Sequence, residues 1–447
     1  MRLLYPLIFS CFVFFQPPTA YAHGIWGHIH VTGWAIENLP PGELRDFYAD
    51  PEVFNAALFG SAFTDSGLFP LAGSLAEKSE EYAEHTHWEP FVTKFIEWIQ
   101  INDPPPWNTP ASRKRVAFLM GAASHGLQDE IFDSLFLHQT EENDEQGQSV
   151  VDPASDGFLA ADGHIRFYPE PYIPMDALLI LYQDLHHEIT EDVIQTSVDM
   201  MIGLYINPDT GPDVAMSLGL QHEENLPWTR THYLDPTVPG SLRSEIIPTM
   251  RYMEAIWKRL HQEFEAQDLV IATFPERPRR LRSEEHQKTD SWVSFMFGAG
   301  VNIETLSARW TDTQGQDVPF SLRGTRWGQQ WTRIVRLQPA VDLHRGGWYH
   351  ITLSQGAQSN AGVVSEDSDL WFQVDCDPSF VECPNYTIKN AAIDPTENTE
   401  DQPPVEQGCN TSSQKTSFWT LFLIFVFGWY RQNLLKKGAV RPQEDRI

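Results

Sequence analysis

Histidine and aspartate residues able to bind metal crowd the first third of the chain. His125-Gly-Leu-Gln-Asp129-Glu-Ile-Phe-Asp133 sets three such side chains at i, i+4 and i+8, a spacing that runs along one face of a helix. The flanks, Phe118 to Ala123 and Ile131 to Leu137, are apolar. A row of carboxylates in such a helix is costly to bury unless paired or metal-bound. His87 stands in His85-Thr-His87-Trp-Glu-Pro-Phe, Asp65 ends Phe59-Gly-Ser-Ala-Phe-Thr-Asp65, and Asp152-Pro-Ala-Ser-Asp156 adds another i, i+4 pair. Mixed His/Asp sites suit Zn²⁺. At the start of the chain, His23-Gly-Ile-Trp-Gly-His28 follows Ala20-Tyr21-Ala22, a small-x-small cleavage pattern. Cleavage there would make the His23 amine and carbonyl a chelating pair, with His28 five residues on to close the site. Singly, each fragment has a plainer explanation: a helical ion pair, a loop feature or a solvated acidic loop. Their order behind a processed N-terminus is what suggests a metalloenzyme completed after export.

The ends of the chain agree with export. Residues 1–22 read as a signal peptide, with Arg2 before the apolar run Leu3 to Phe15. Near the other end, Phe418 to Tyr430 is apolar and is followed by Arg431, Lys436 and Lys437, a basic flank of the inside-positive kind. The run is shorter than the ~20 residues of a full span. With Gly408-Cys409 upstream, this tail resembles sorting tails of the MYXO-CTERM type, which implies transient anchoring and surface display, with release after processing as one option. A simple C-terminal membrane anchor is the alternative.

Between the ends, residues 23–268 read as mostly helical, on the strength of stretches such as Ile246, Met250, Met253, Trp257, Leu260 and Phe264. Loops are expected at Asn102 to Pro110 and Glu141 to Gly157. Residues 269–290, with Pro275, Pro278 and four arginines (Arg277, Arg279, Arg280, Arg282), read as a linker. From 291 to 377 the period becomes two, in Val293, Phe295 and Phe297, in Tyr349, Ile351 and Leu353, and in Leu370, Phe372 and Val374. That predicts a small all-β Ig-like sandwich. Cys376 and Cys383 are placed for a local disulfide in an oxidising compartment. Residues 378–416 read as a flexible linker and 417–447 as the membrane or sorting segment. The net charge of -30 disfavours strong non-specific binding to nucleic acid, which rests on neutralised phosphates.

Residues 23 to about 265 resemble the zinc-dependent phospholipase C family, nearest to its glycosylphosphatidylinositol-specific phospholipase D branch. The resemblance is carried by His23-Gly24, His28, the helix expected from Ile29 to Leu39, Asp65, His87-Trp88-Glu89-Pro90-Phe91, Gly121-Ala-Ala-Ser-His125-x-x-x-Asp129 and the stretch Tyr172 to Tyr182. It implies an all-α phospholipase C/nuclease-like domain. One zinc would sit on Asp65, His87, His125 and Asp129. A second would take the His23 amine and carbonyl and His28, with Asp129 bridging. It also implies that Asp65 orients or deprotonates the attacking water. Where the family's third site has histidines and a glutamate, this chain offers Asp133, Asp152 and Asp156, with Asp162 a rival for the last. All-oxygen ligation would turn that site from Zn²⁺ toward Ca²⁺, Mg²⁺ or Mn²⁺. The expected function is hydrolysis of a phospholipid headgroup phosphodiester. The alternatives are a single-strand nuclease of the same superfamily and a non-catalytic surface binding protein.

Overall fold

The computed structural model describes residues 24–69, 74–275, 280–281, 292–324, 330–344 and 346–374. All of them belong to one compact unit within residues 1–387. The expected signal peptide, His23, Arg277, Arg279, Arg282, the pair Cys376 and Cys383, and the segments 378–416 and 417–447 lie outside the described residues. Among the described residues no helix is long and apolar enough to cross a membrane.

The first part is helical: α1 Ile25–Glu37, α2 Glu43–Phe47, α3 Pro51–Phe63, α4 Ser74–Thr86, α5 Glu89–Asn102, α6 Pro110–Ile131, α7 Leu137–Asp144, α8 Gln148–Ala161, α9 Met175–Asp184, α10 Glu191–Leu204, α11 Gly211–Leu220, α12 Pro227–His232 and α13 Ile246–His261. Asp50 caps α3 by accepting from the Glu52 N–H, Thr109 caps α6 through Ser112, and Thr190 caps α10 through Val193, each satisfying an N–H that has no partner within its own helix. At the centre, α6 is buried from Val116 to Ile131, because α1, α3, α5 and α13 all pack on it. Its contact with α3 is backbone-close. A Cβ on Gly121 would fall 1.9 Å from the Ala57 carbonyl oxygen, so no larger residue fits there.

Two readings are corrected here. Glu141 to Gly157 is not a loop: α7 and α8 occupy most of it, with Pro153 inside α8. The apolar face of Val151, Ala154, Phe158 and Leu159 outweighs the cost of the proline. The 269–290 segment is not linker throughout. Val270–Phe274 forms β1, paired antiparallel with the strand Val293–Asn302, and Arg280–Leu281 forms β2. The β-branched and aromatic content of Val-Ile-Ala-Thr-Phe suits a strand, and the arginine cluster beyond it masked that signal.

The strands are β3 Val293–Asn302, β4 Ser307–Asp312, β5 Phe320–Gly324, β6 Trp331–Pro339, β7 Trp348–Ser354 and β8 Ser368–Val374. They form two four-stranded sheets, ordered β1-β3-β6-β5 and β2-β8-β7-β4, antiparallel apart from the short β2–β8 pair. Phe295, Phe297, Trp310, Tyr349 and Phe372 fill the core of this β-region. Strand β3 is buried at every residue, because Met296, together with Ile334 of β6 and Ala272 of β1, joins the helical core. The first sheet thus has a covered face on each side, and the expected in–out alternation gives way to a continuous buried run.

Candidate metal centre

Four elements deliver the site. Helix α1 carries His28. The turn Thr64–Leu68 after α3 carries Asp65. His87 lies between α4 and α5, and α6 carries His125 and Asp129. All five side chains are buried. One nitrogen or oxygen from each of His28, Asp65 and His125 falls within 4.8 Å of the others, and the same holds for His87, His125 and Asp129. These buried His/Asp groups can bind metal.

Backbone and amide acceptors decide which ring nitrogen faces the centre. His87 Nδ1 donates to the Ala83 carbonyl at 2.7 Å, His125 Nδ1 to the Ser61 carbonyl at 2.5 Å, and His28 Nδ1 to Gln128 Oε1 at 2.9 Å. Gln128 is itself oriented by its amide, which donates to Thr32 Oγ1 at 3.0 Å. With Nδ1 donating to these acceptors, each Nε2 faces inward, the nitrogen a metal would take, as in metal-binding histidines generally. His87 Nε2 lies 3.0 Å from Asp129 Oδ2 and 3.3 Å from Asp65 Oδ1. His125 Nε2 lies 3.4 Å from each of those oxygens and 3.2 Å from His87 Nε2. His28 Nε2 lies 3.0 Å from Asp129 Oδ1. Asp129 therefore faces all three imidazoles with its two oxygens.

The electrostatics ask for positive charge at this spot. Burial disfavours imidazolium at His87 and His125, yet Asp129 and Asp65 raise them to about 10 and about 9. Burial opposes ionisation of Asp65 and Asp129 as well, but His125, with His87 beside Asp65 and His28 beside Asp129, holds both well below the usual carboxylate range. His28 goes the other way, lowered by burial and then by His125, on which its ring stacks with centroids 3.6 Å apart. Two carboxylates and three inward Nε2 atoms at these distances fit a cation that would replace the imidazole protons.

The three expected third-site aspartates differ in their partners. Asp152 is buried with neither carboxylate oxygen hydrogen-bonded. Burial, then Asp133, Asp129, Asp65 and Asp156, push its pKa far up. An oxygen cation ligand would relieve that. Asp133 stands near the start of the π-turn Phe132–Phe136; burial and then Asp129 push its pKa well up, and it is the first charge to act on Asp152. It still exposes surface to solvent and accepts from Gln148 Nε2 at 3.1 Å. Asp156 is committed elsewhere, accepting from the N–H groups of Trp26 at 3.0 Å and Gly27 at 2.7 Å and from the Tyr205 hydroxyl at 2.8 Å. It caps α1, which lacks a cap of its own from Gly24. Burial raises Asp156 to about 7 against the pull of these donors. Its rival Asp162 is forked by Arg230 at 2.6 and 2.8 Å and belongs to a surface ion pair. His164 and His222 are half-buried loop residues, lowered by burial. His187 pairs with Glu81 at 2.9 Å and stacks on His85.

Sequence reasoning missed the supporting residues. Gln128 was legible as a polar side chain beside Asp129 in an apolar helix. Glu245, buried at the start of α13 and pushed up by burial, Asp129 and Asp133, gave no local signal. Neither did Arg333, which reaches Glu130 across 203 positions of sequence.

A buried His₃Asp₂ cluster on a helical scaffold is the class of site defined here. Within curated proteins, the chain is similar to the phosphatidylinositol-glycan-specific phospholipases D of mouse (32% identical over 182 residues), cattle (30% over 190) and human (30% over 184). These matches cover 38–39% of this chain and 21–22% of each relative, so the chain spans about a fifth of their length. No family model matches. Among solved structures, CopC from Methylosinus trichosporium OB3b aligns with 24% of this chain and 92% of its own (19% identity, TM-score 0.20), and the N-terminal part of the bacterial S-layer protein SbsC with 78% of each (10%, 0.19). Likenesses at those scores carry no weight for the fold.

Proposed function

We propose that this chain is an exported, zinc-dependent phosphodiesterase that hydrolyses phospholipid headgroups, in the manner of a phospholipase C or D, at the cell surface or outer envelope. The observation that carries the reading is the set of three buried histidines whose Nδ1 protons are all tied down and whose Nε2 atoms meet Asp65 and Asp129. The partial similarity to phosphatidylinositol-glycan-specific phospholipases D supports a lipid phosphodiester as substrate. His28, His87, His125, Asp65 and Asp129 would hold two zinc ions, with the terminal His23 completing one of them. Bound metal supplies Lewis acidity toward a phosphoryl oxygen and lowers the pKa of water. Asp65, whose Oδ2 has no hydrogen bond, is the base that orients water and takes its proton. Asp152 and Asp133 would hold a third, harder cation (Ca²⁺, Mg²⁺ or Mn²⁺), since their donors are oxygens only. Asp156 stays with α1.

The test is metal content and hydrolysis measured together on protein processed to His23, with and without one added N-terminal residue. Phosphatidylinositol, phosphatidylcholine and single-stranded DNA are offered at low salt. Zinc binding and lipid hydrolysis that both collapse on extension support the proposal. Cleavage of DNA alone would make the chain a nuclease. Bound metal with no turnover of any phosphodiester would make it a binding protein.

A further inference from the structure

The β-region sends one arginine into the back of the metal centre. Arg333 lies on β6 and is fully buried. Its Nε donates to Glu130 Oε1 at 2.6 Å and its backbone N–H to Glu130 Oε2 at 3.2 Å, so both oxygens of the residue next to Asp129 are taken up. Its Nη2 donates to the backbone carbonyl of His87 at 2.8 Å, and its Nη1 approaches the Ala123 carbonyl at 3.4 Å. One planar group thus joins the helix that carries His125 and Asp129 to the segment that carries His87.

Gly126 makes this junction possible. A Cβ there would fall 2.1 Å from the His87 carbonyl oxygen and 2.9 Å from Arg333 Nη2. The same segment has a second tie to the β-region two residues on. Glu89 accepts from Asn360 Nδ2 at 2.9 Å, from the Tyr252 hydroxyl at 2.6 Å, and from Arg259 at 3.2 and 3.3 Å. His87 is therefore held twice: its ring by the Ala83 carbonyl, and its main chain by Arg333.

We infer that Arg333 is a positioning residue for the metal centre, and that the β-region is a working part of the site. This rests on the proposed metal function. The guanidinium fixes the spacing between His87 Nε2 and the His125/Asp129 pair without touching any of those ligand atoms. A lysine keeps the charge for Glu130 but lacks the planar fork that serves Glu130 and His87 together.

The test uses the full chain, processed to His23, as wild type, Arg333→Gln and Arg333→Lys. Zinc affinity is read by chelator competition, and site geometry by the visible spectrum of the cobalt-substituted protein. Circular dichroism and thermal unfolding report the fold. Arg333→Gln is expected to weaken zinc binding about 10- to 100-fold and to alter the cobalt spectrum, with Arg333→Lys intermediate. A folded Arg333→Gln with wild-type affinity and spectrum would overturn the inference alone. A wild type that binds no metal would overturn the proposed function, and this inference with it.

If both variants unfold, hydrogen exchange on the wild type decides, because coupling between sites is reciprocal. Zinc should slow exchange at the Arg333 amide, which Glu130 accepts, more than at β7 in the other sheet. Equal slowing in the two sheets, or none, would overturn it.

Discussion

Replacing Gly24 with alanine should unseat the first helix from the aspartate that caps it. A Cβ on Gly24 would stand 2.1 Å from Asp156 Oδ2 and 2.2 Å from Cγ, inside the van der Waals shell of a fully buried group. The carboxylate must swing away, and the bonds to the Trp26 and Gly27 amides go with it. At about 1 kcal/mol net for each hydrogen bond, and with helix caps spanning a similar range, the cost is about 2–3 kcal/mol. That corresponds to a fall in thermal midpoint of roughly 5–10 °C. Asp156→Ala removes the same contacts from the other side. Because both substitutions break one junction, they should not add: the double variant is expected within about 0.5 kcal/mol of Asp156→Ala alone. Urea unfolding of the four proteins, read by the m-value and midpoint, measures this. Additive costs, or a Gly24→Ala variant as stable as wild type, would refute the capping role of Asp156.

Asp129→Ala should abolish phosphodiester hydrolysis and zinc binding while the near-ultraviolet signal of Trp310, packed against Tyr349 and Phe372 in the β-core, persists; measurable wild-type turnover would exclude the bridging role. Stripping metal with a chelator should lower stability by about 2.7 kcal/mol relative to protein at a hundredfold excess over the dissociation constant, read as a fall in thermal midpoint that added zinc reverses. His30, buried and accepting from the Arg166 amide at 2.8 Å, is lowered to about 4, chiefly by burial. Its folded pKa is depressed below 6.5, so its contribution is full above pH 6.5 and is lost as pH falls toward 4, by about 3 kcal/mol; His30→Gln should flatten that part of the stability–pH curve measured by urea midpoints.

The helix-then-sheet order was legible because each period persists over long stretches. His125 and Asp129 were legible because one helical turn separates them inside an apolar run. The π-turn that begins between Asp129 and Asp133 was not legible, since no residue pattern announces the change of winding. Asp156 was read as a ligand because its partners, the amides of Trp26 and Gly27, lie about 130 positions away and backbone donors leave no mark in side-chain patterns. Val293 to Asn302 looked two-faced because the helical layer behind the first sheet comes from residues far earlier in the chain. The ring-orienting acceptors at Ala83 and Ser61 are main-chain carbonyls, to which any residue type contributes equally.

The long reach of Arg333 also sets a timetable for synthesis. As the chain is made from its first residue onward, Glu130 emerges some two hundred residues ahead of Arg333, and Glu89 waits longer still for Asn360. Until then Glu130 is without the Arg333 fork, whereas Glu89 already has Arg259 from the helical part. The tie that Arg333 makes between the Glu130 helix and the His87 segment can therefore form only after the β6 strand has been made.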